Sequence, residues 1–344
     1  KKEFVKIVEY IKPKLDEYVK TTPYDMLSFF ELTEAIGFVY FVKKKVEWVV
    51  LEVACGGRYD SSNIVPHKDI AIITNIELDH VGIIGNNKEE IAYEKAGIIK
   101  PGCVVFTQEK NKKVLEIINK ECEKKSVSLQ VFKFASSKID KSLKTIFEYK
   151  NIKYTLPTLG QHQTKNAILC IEVSKHLDIS DKQIKAGLSK VQLPIRMEVI
   201  SRKPLIILDG AHNPAKIKST VNTIKELADL NTCKLVNLII GFSENKDTNS
   251  MIRQLAELKP DTIACTRYTN NPFRKVADPS DIAKKFKKFL PKAKIEIFLD
   301  PTDALEWSEN NLPNISSKAK AEKGLILATG SIFLAGEIRS KLTK

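Results

Sequence analysis

VEWVVLEVACGGRYDSSN (46 to 63), IAIITNIELDH (70 to 80) and EEIAYEKAGIIKPG (89 to 102) are the stretches that decide how this chain is read. The apolar runs Val46 to Val53 and Ile70 to Ile76 each predict a buried strand of an open α/β sheet, because a strand covered on both faces needs little polar alternation. Each run delivers charge and then loop-forming residues: Glu52 after the first, Asp79 and His80 after the second. Residues 89 to 96 predict a helix carrying Glu94 and Lys95, stopped by Gly97 and Pro101. Ligands of open α/β sheets are met at the carboxyl ends of the strands. A carboxylate, an Asp-His pair and a lysine gathered there suit hard-cation and phosphate chemistry better than packing.

Upstream, residues 3 to 20 predict an amphipathic helix and Phe29 to Val42 a more apolar one. Downstream come a Lys- and Glu-rich helix (112 to 125), a short strand (129 to 134) and a hairpin around Phe147 to Tyr154, read as the remainder of a first domain. GQHQTKNAILCIEVSKHL (160 to 177) opens polar and turns helical, which places Asn166 near a helix start, where backbone N–H groups favour anions. Leu193, Pro194 and the polar run Ser201 to Pro204 predict a boundary between domains 1 to 200 and 201 to 344. A βα rhythm follows, with strands at 205 to 209, 235 to 241, 262 to 266, 295 to 299 and 325 to 331, separated by helices from Pro214, Asn249 and Ser280. The expected fold class is α/β, two doubly wound domains with largely parallel sheets. Asp209, Gly241 and Thr329 fall on the ligand edge of the second.

At 344 residues the chain is long enough for two cores. No apolar stretch approaches the roughly 20 residues a bilayer demands, so no membrane partner and a cytoplasmic location are expected. The net charge of +14 is spread along the chain without an aromatic-rich stripe, which favours a solvated lysine surface over a nucleic-acid partner. Six cysteines show no CxxC spacing, so neither a zinc site nor a disulfide frame is expected. No GxxxxGK[ST] loop is present; GFSENKDT (241 to 248) lacks its second glycine and its Lys-Ser/Thr ending.

The wording LEVACGGRYDSSN, TNIELDHVGIIG and EEIAYEKAGIIKPG resembles the folylpolyglutamate synthase and dihydrofolate synthase family, a branch of the Mur ligases. The resemblance continues in order through GQHQTKNA (160 to 167), LPIRME (193 to 198), LDGAHNP (208 to 214) and ATGSIFLAGEI (328 to 338). It implies a Mur-ligase-like central nucleotide-binding domain and a smaller Rossmann-like glutamate-ligase domain. The implied activity joins L-glutamate to a folate-type carboxylate, on a folate or on dihydropteroate, with ATP and Mg2+, in a monomer.

By the same resemblance Glu52 and His80 are magnesium ligands. Lys95 is a third through a carbamate, and counts as a catalytic residue with His212. Asn166, Arg196 and Asp209 are the ATP contacts. His212 also has a plain reading, since Asn213 and Pro214 make a good helix start. The family carries its glycine-rich ATP loop and a serine metal ligand upstream of the segment matching residues 1 to 45, so the chain is expected to lack them. The family commonly has Gly at the position of Ile195, which puts the path around Arg196 in question. The rival readings are another Mur-type amide ligase and an inactive fragment or binding module of the same fold.

Overall fold

The computed structural model describes residues 1–78, 82–230, 234–271, 273–312 and 324–343. They form two compact units, Lys1–Val131 and Phe132–Lys344.

The first unit opens with helices α1 (Lys2–Thr21) and α2 (Phe29–Lys44). Ser28 starts α2 with a capping box, its hydroxyl taking the Glu31 N–H while the Glu31 carboxylate takes the Ser28 N–H at 2.7 Å. A parallel three-stranded sheet follows, in the order β1 (Ile70–Ile73), β2 (Val104–Thr107), β3 (Leu129–Val131). Its crossovers are α3 (Lys88–Ala96) and α4 (Lys112–Lys125), capped by Asn87 and Asn111. Ile91, Ala92 and Ala96 of α3 and Val114 and Ile118 of α4 bury their faces against Ala71, Ile73 and Val105.

The strand expected over Val46 to Val53 does not form. These residues join no β-ladder among the described residues, and Val50 is 95% and Trp48 62% exposed. An apolar run becomes a strand only where a neighbouring ladder takes up its N–H and C=O groups. β1 has such a neighbour in β2; the run at 46 to 53 has none.

The second unit begins with an antiparallel sheet, β4 (Ser137–Ile139), β5 (Thr145–Tyr149) and β6 (Ile152–Leu156), so the hairpin expected in the first domain lies in this unit. Lys150 and Asn151 turn it in the left-handed conformation that a two-residue hairpin demands. Helices α5 (Gln161–His176) and α6 (Asp181–Ser189) cover it, burying Ile168, Ile171, Ile184 and Leu188 against Phe147, Tyr154 and Leu156.

The remaining residues build a six-stranded sheet from β7 (Glu198–Arg202), β8 (Leu205–Leu208), β9 (Lys234–Ile240), β10 (Thr262–Cys265), β11 (Lys294–Ile297) and β12 (Gly324–Thr329). The spatial order is β11-β10-β9-β12-β8-β7, parallel except for β7. Helices α7 (Pro214–Asp229), α8 (Thr248–Ala256), α9 (Pro279–Phe289), α10 (Pro301–Asn310) and α11 (Ile332–Leu342) lie against its two apolar clusters. The polar run Ser201 to Pro204 forms the end and turn of a β7–β8 hairpin. Asp209, Gly241 and Thr329 end β8, β9 and β12, three neighbouring strands of one edge, as expected.

Candidate active site

In the first unit two motif stretches lie directly on one another. The loop Ala54 to Asn63 is wound around the Asp60 carboxylate, which accepts the N–H groups of Ala54 (3.1 Å), Cys55 (2.9 Å) and Ser62 (3.0 Å). Burial works to raise the Asp60 carboxyl, but these bonds and the Ser62 hydroxyl outweigh it and hold the group below the usual aspartate range. So shaped, the loop sets Gly57 against the end of α3. A Cβ on Gly57 would lie 2.8 Å from the Glu94 carbonyl oxygen and 3.0 Å from the Lys95 Cα, so no larger residue fits. Arg58 fastens the contact: its N–H donates to the Glu94 carbonyl (2.8 Å), its guanidinium to the Tyr93 carbonyl (3.1 Å), and it stacks 3.9 Å from the Tyr93 ring centre. Asn63 then bridges the Arg58 and Gly97 carbonyls, each at 3.1 Å.

Of the expected metal ligands, Glu52 is exposed, two residues before the Ala54 to Asn63 loop, and its carboxylate has no hydrogen-bond or ion-pair partner among the described residues. Lys95 is half-buried and likewise unpartnered among them, consistent with a helix position whose neighbours at three and four residues are apolar. His80, with Asp79, lies outside the described residues. No group of three or more His, Cys, Asp or Glu among the described residues is placed to hold a metal ion. A cleft of about 520 Å³ between α3 and α4 is lined by Glu89, Glu90, Tyr93, Glu94, Ile117 and Lys120 among others, but by neither Glu52 nor Lys95.

The second unit brings two of the expected nucleotide contacts, Arg196 and Asp209, together at the end of β8. Arg196 is presented by a turn in which both neighbours, Ile195 (φ 52°) and Met197 (φ 51°), are left-handed. That conformation explains why glycine suits position 195; for a β-branched residue it is strained, at a cost of about 1–3 kcal/mol. The Arg196 guanidinium has no hydrogen-bond or ion-pair partner among the described residues, although its charge reaches both Asp209 and His162.

Asp209 is 6% exposed, and its two oxygens are committed: one accepts the Thr220 hydroxyl, the other the Met197 N–H at 3.3 Å. Burial pushes its carboxyl up, only partly countered by Thr220, the Met197 N–H and the charges of Arg196 and Lys216. In this structure Asp209 thus holds the Arg196 turn. His212 lies half-buried, its Nδ1 2.8 Å from the Gly210 carbonyl and its Nε2 3.1 Å from the Lys216 ammonium, while Asn213 caps α7 by accepting the Lys216 N–H. The helix-start reading of the DGAHNP stretch is therefore realised, and His212 sits beside Lys216.

Asn166 is exposed on the second turn of α5, past the free N–H groups of the first. Those belong to Gln161 and His162, since the Gln163 N–H donates to the Gly160 carbonyl (3.0 Å), and His162 is four residues from Asn166 on the same face. Burial, with the charges of Lys165 and Arg196, pushes the His162 imidazole down to about 4, so it is neutral at pH 7 and able to accept a hydrogen bond. Sequence reasoning singles out Asn166 and passes over His162; the signal was its place beside Gly160, whose φ of 105° marks a bend before the helix.

Two family models match, the Mur ligase middle domain over residues 18–174 and the Mur ligase, glutamate ligase domain over 195–331. Those matches, with the open α/β fold, define an ATP-dependent ligase of the Mur type. Among curated proteins, the dihydrofolate synthase/folylpolyglutamate synthase of Bacillus subtilis is 30% identical over 364 residues, covering 99% of this chain and 78% of that protein. The folylpolyglutamate synthase of Lacticaseibacillus casei is 25% identical, with 98% and 77% covered. The solved folylpolyglutamate synthase of Thermotoga maritima superposes with a TM-score of 0.79 at 29% identity, covering 100% of this chain and 76% of that one. The Mycobacterium tuberculosis enzyme, solved with ADP and AMPPCP, gives 0.86 at 24% identity and 99% and 79% coverage, a likeness of fold. The chain belongs to the dihydrofolate synthase/folylpolyglutamate synthase family. It is an enzyme, an ATP-dependent glutamate ligase of folate metabolism. Among the described residues no helix is long and apolar enough to cross a membrane.

Proposed function

We propose that the chain ligates L-glutamate to the carboxylate of a folate or of dihydropteroate through an acyl phosphate. The substrate carboxylate takes the γ-phosphoryl group of ATP; the glutamate amine then attacks the activated carbonyl carbon, phosphate leaves, and an amide, ADP and a proton result. Residues 1 to 200 are assigned the phosphoryl-transfer half and residues 201 to 344 the glutamate-ligase half, a division supported by the separate matches of the two parts.

The observation that carries this reading is the seating of Gly57 on the backbone of Glu94 and Lys95, which joins two distant motif stretches into one surface. Glu52 is assigned to hold Mg2+ with His80 and Lys95. The donor set fits a hard cation, since magnesium is commonly held by one or two carboxylates with substrate phosphates and water. When bound, the ion would neutralise charge on the transferring phosphoryl group. Lys95, half-buried and without a partner among the described residues, is assigned to react with carbon dioxide and present carbamate oxygens. On the second unit, Arg196 offers an uncommitted planar guanidinium to phosphate oxygens, with His162 within reach of its charge and Asn166 on the same face of α5 as His162, and Asp209 keeps the Arg196 turn in place. His212, close to Lys216, is assigned a catalytic part in handling charge at the reacting carboxylate.

Glu52→Ala should lower ligation by about 10²-fold or more, the usual cost of removing a charge-stabilising group, while leaving the unfolding midpoint unchanged. Lys95→Ala should also lose activity and partly regain it with added acetate. Turnover near the parent's in Glu52→Ala would overturn the assignment.

A further inference from the structure

The turn that presents Arg196 has a requirement the family reading does not supply. Two left-handed residues flank one arginine, and the first, Ile195, is β-branched. Such a conformation persists only where the surroundings fix it. Four polar ties do so: the Ile195 N–H donates to Glu198 (2.8 Å), the Ile195 carbonyl accepts the Gly210 N–H (2.7 Å), the Arg196 N–H reaches the Leu193 carbonyl (3.3 Å), and the Met197 N–H reaches Asp209 (3.3 Å). Glu198 is itself fastened from outside the turn. The Arg339 Nε on α11 donates to both of its carboxylate oxygens, at 3.1 and 2.9 Å. The same helix braces the turn a second time, because the Ile332 side chain at its start leaves no room for a Cβ on Gly210, whose N–H holds Ile195.

We propose that Glu198 and Arg339 are a positioning pair: tied through α11, they hold Ile195 in the left-handed conformation and thereby aim the Arg196 guanidinium at the nucleotide. The inference rests on Arg196 contacting ATP, as assigned above. An ordinary half-exposed ion pair contributes little to stability. This one differs in having a single strained N–H as its third partner, so its effect should be felt in nucleotide affinity more than in folding.

The test is a double-mutant cycle in the full chain, read as KM for ATP, kcat and unfolding midpoint. Glu198→Ala and Arg339→Met should each raise KM for ATP about tenfold with kcat much less affected, the signature of lost uniform binding. Glu198→Gln, which keeps an acceptor for the Ile195 N–H, should do less harm and covers the case in which the alanine variant folds poorly. In an Ile195→Gly background the left-handed turn costs nothing, so the same Glu198→Ala change should raise KM less than about threefold. An equal rise in both backgrounds, or a flat KM in Glu198→Ala and Arg339→Met, would overturn the pairing. Arg196→Ala separates the two claims: a raised KM there beside a flat Glu198→Ala sinks only the pairing. A flat KM in Arg196→Ala sinks the nucleotide assignment and the pairing with it.

Discussion

VEWVVLE (46 to 52) and PLIILD (204 to 209) share one pattern, a continuous apolar run ended by a carboxylate and followed by a glycine loop and a helix, yet they reach opposite states. Ile207 is fully buried, paired to Leu327 of β12 on one side and Val199 of β7 on the other. Val50 is 95% exposed. The carboxylates follow their strands: Asp209 is sealed and spends both oxygens on Thr220 and Met197, whereas Glu52 is open and unpartnered among the described residues. A buried strand end makes its acid a structural acceptor; an unpaired one leaves its acid free for a ligand. The same letters thus serve two purposes, and the ladder neighbours decide which.

The widest gap between the two regions should be seen in stability. Ile207→Ala should cost about 2–5 kcal/mol, transfer and cavity terms together, while Val50→Ala should stay within about 0.5 kcal/mol, as an exposed position does. Denaturant unfolding followed by circular dichroism measures both. A loss above about 1.5 kcal/mol in Val50→Ala would show that the run at 46 to 53 is paired in solution and would break the comparison.

Within the first region the looseness should end abruptly at the glycine loop. Gly57→Ala pushes a methyl into the backbone of Glu94 and Lys95, which cannot swing aside, and should cost about 1–3 kcal/mol together with ligase activity. Gly37→Ala, in α2 with nothing within 4 Å of the added methyl, should instead gain up to about 1 kcal/mol from helix propensity. Equal outcomes for the two substitutions would mean that the loop and α3 are not in contact.

These contrasts mark what could be read from the letters. Elements whose periodicity is closed locally were legible: α4 over 112 to 125, the 147 to 154 hairpin, and β8 to β12, all nearly at their expected bounds. Pairing over long distance was not, so Val46 to Val53 read as a strand when it is an unpaired run, and the hairpin that Ser201 to Pro204 turns went unread. At the candidate site, the nearness of Arg196 and Asp209 was legible, and Asn166, expected with them, lies exposed on α5. The division of labour among them was not, because it depends on burial: nothing in LDGAHNP says that Asp209 faces Thr220 and Met197. His162 and the Glu198–Arg339 pair were invisible for the same reason, the latter joining residues at opposite ends of the second unit.

Acid should separate the two regions most finely. The His162 imidazole, held down to about 4 by burial and by Lys165 and Arg196, ionises at about 6.5 in the unfolded chain. Between those values the unfolded state binds a proton that the native state does not, so His162 favours the native state fully above pH 6.5 and that contribution is lost as pH falls toward 4. Discounted for a half-buried ring, the loss should be about 1–2 kcal/mol. Asp60, in the first region, has a depressed carboxyl, so its contribution is retained to lower pH and fades only below the usual aspartate value near 3.8. Asp209, pushed up by burial, acts in the opposite sense as pH rises above 3.8, but equally in parent and variant. The difference in unfolding free energy between the parent and His162→Gln, measured from pH 7 to pH 4, therefore isolates the histidine. It should narrow in the parent's disfavour across that window and flatten below it. A difference independent of pH would mean that His162 titrates normally, and that the start of α5 is as open to water as Glu52.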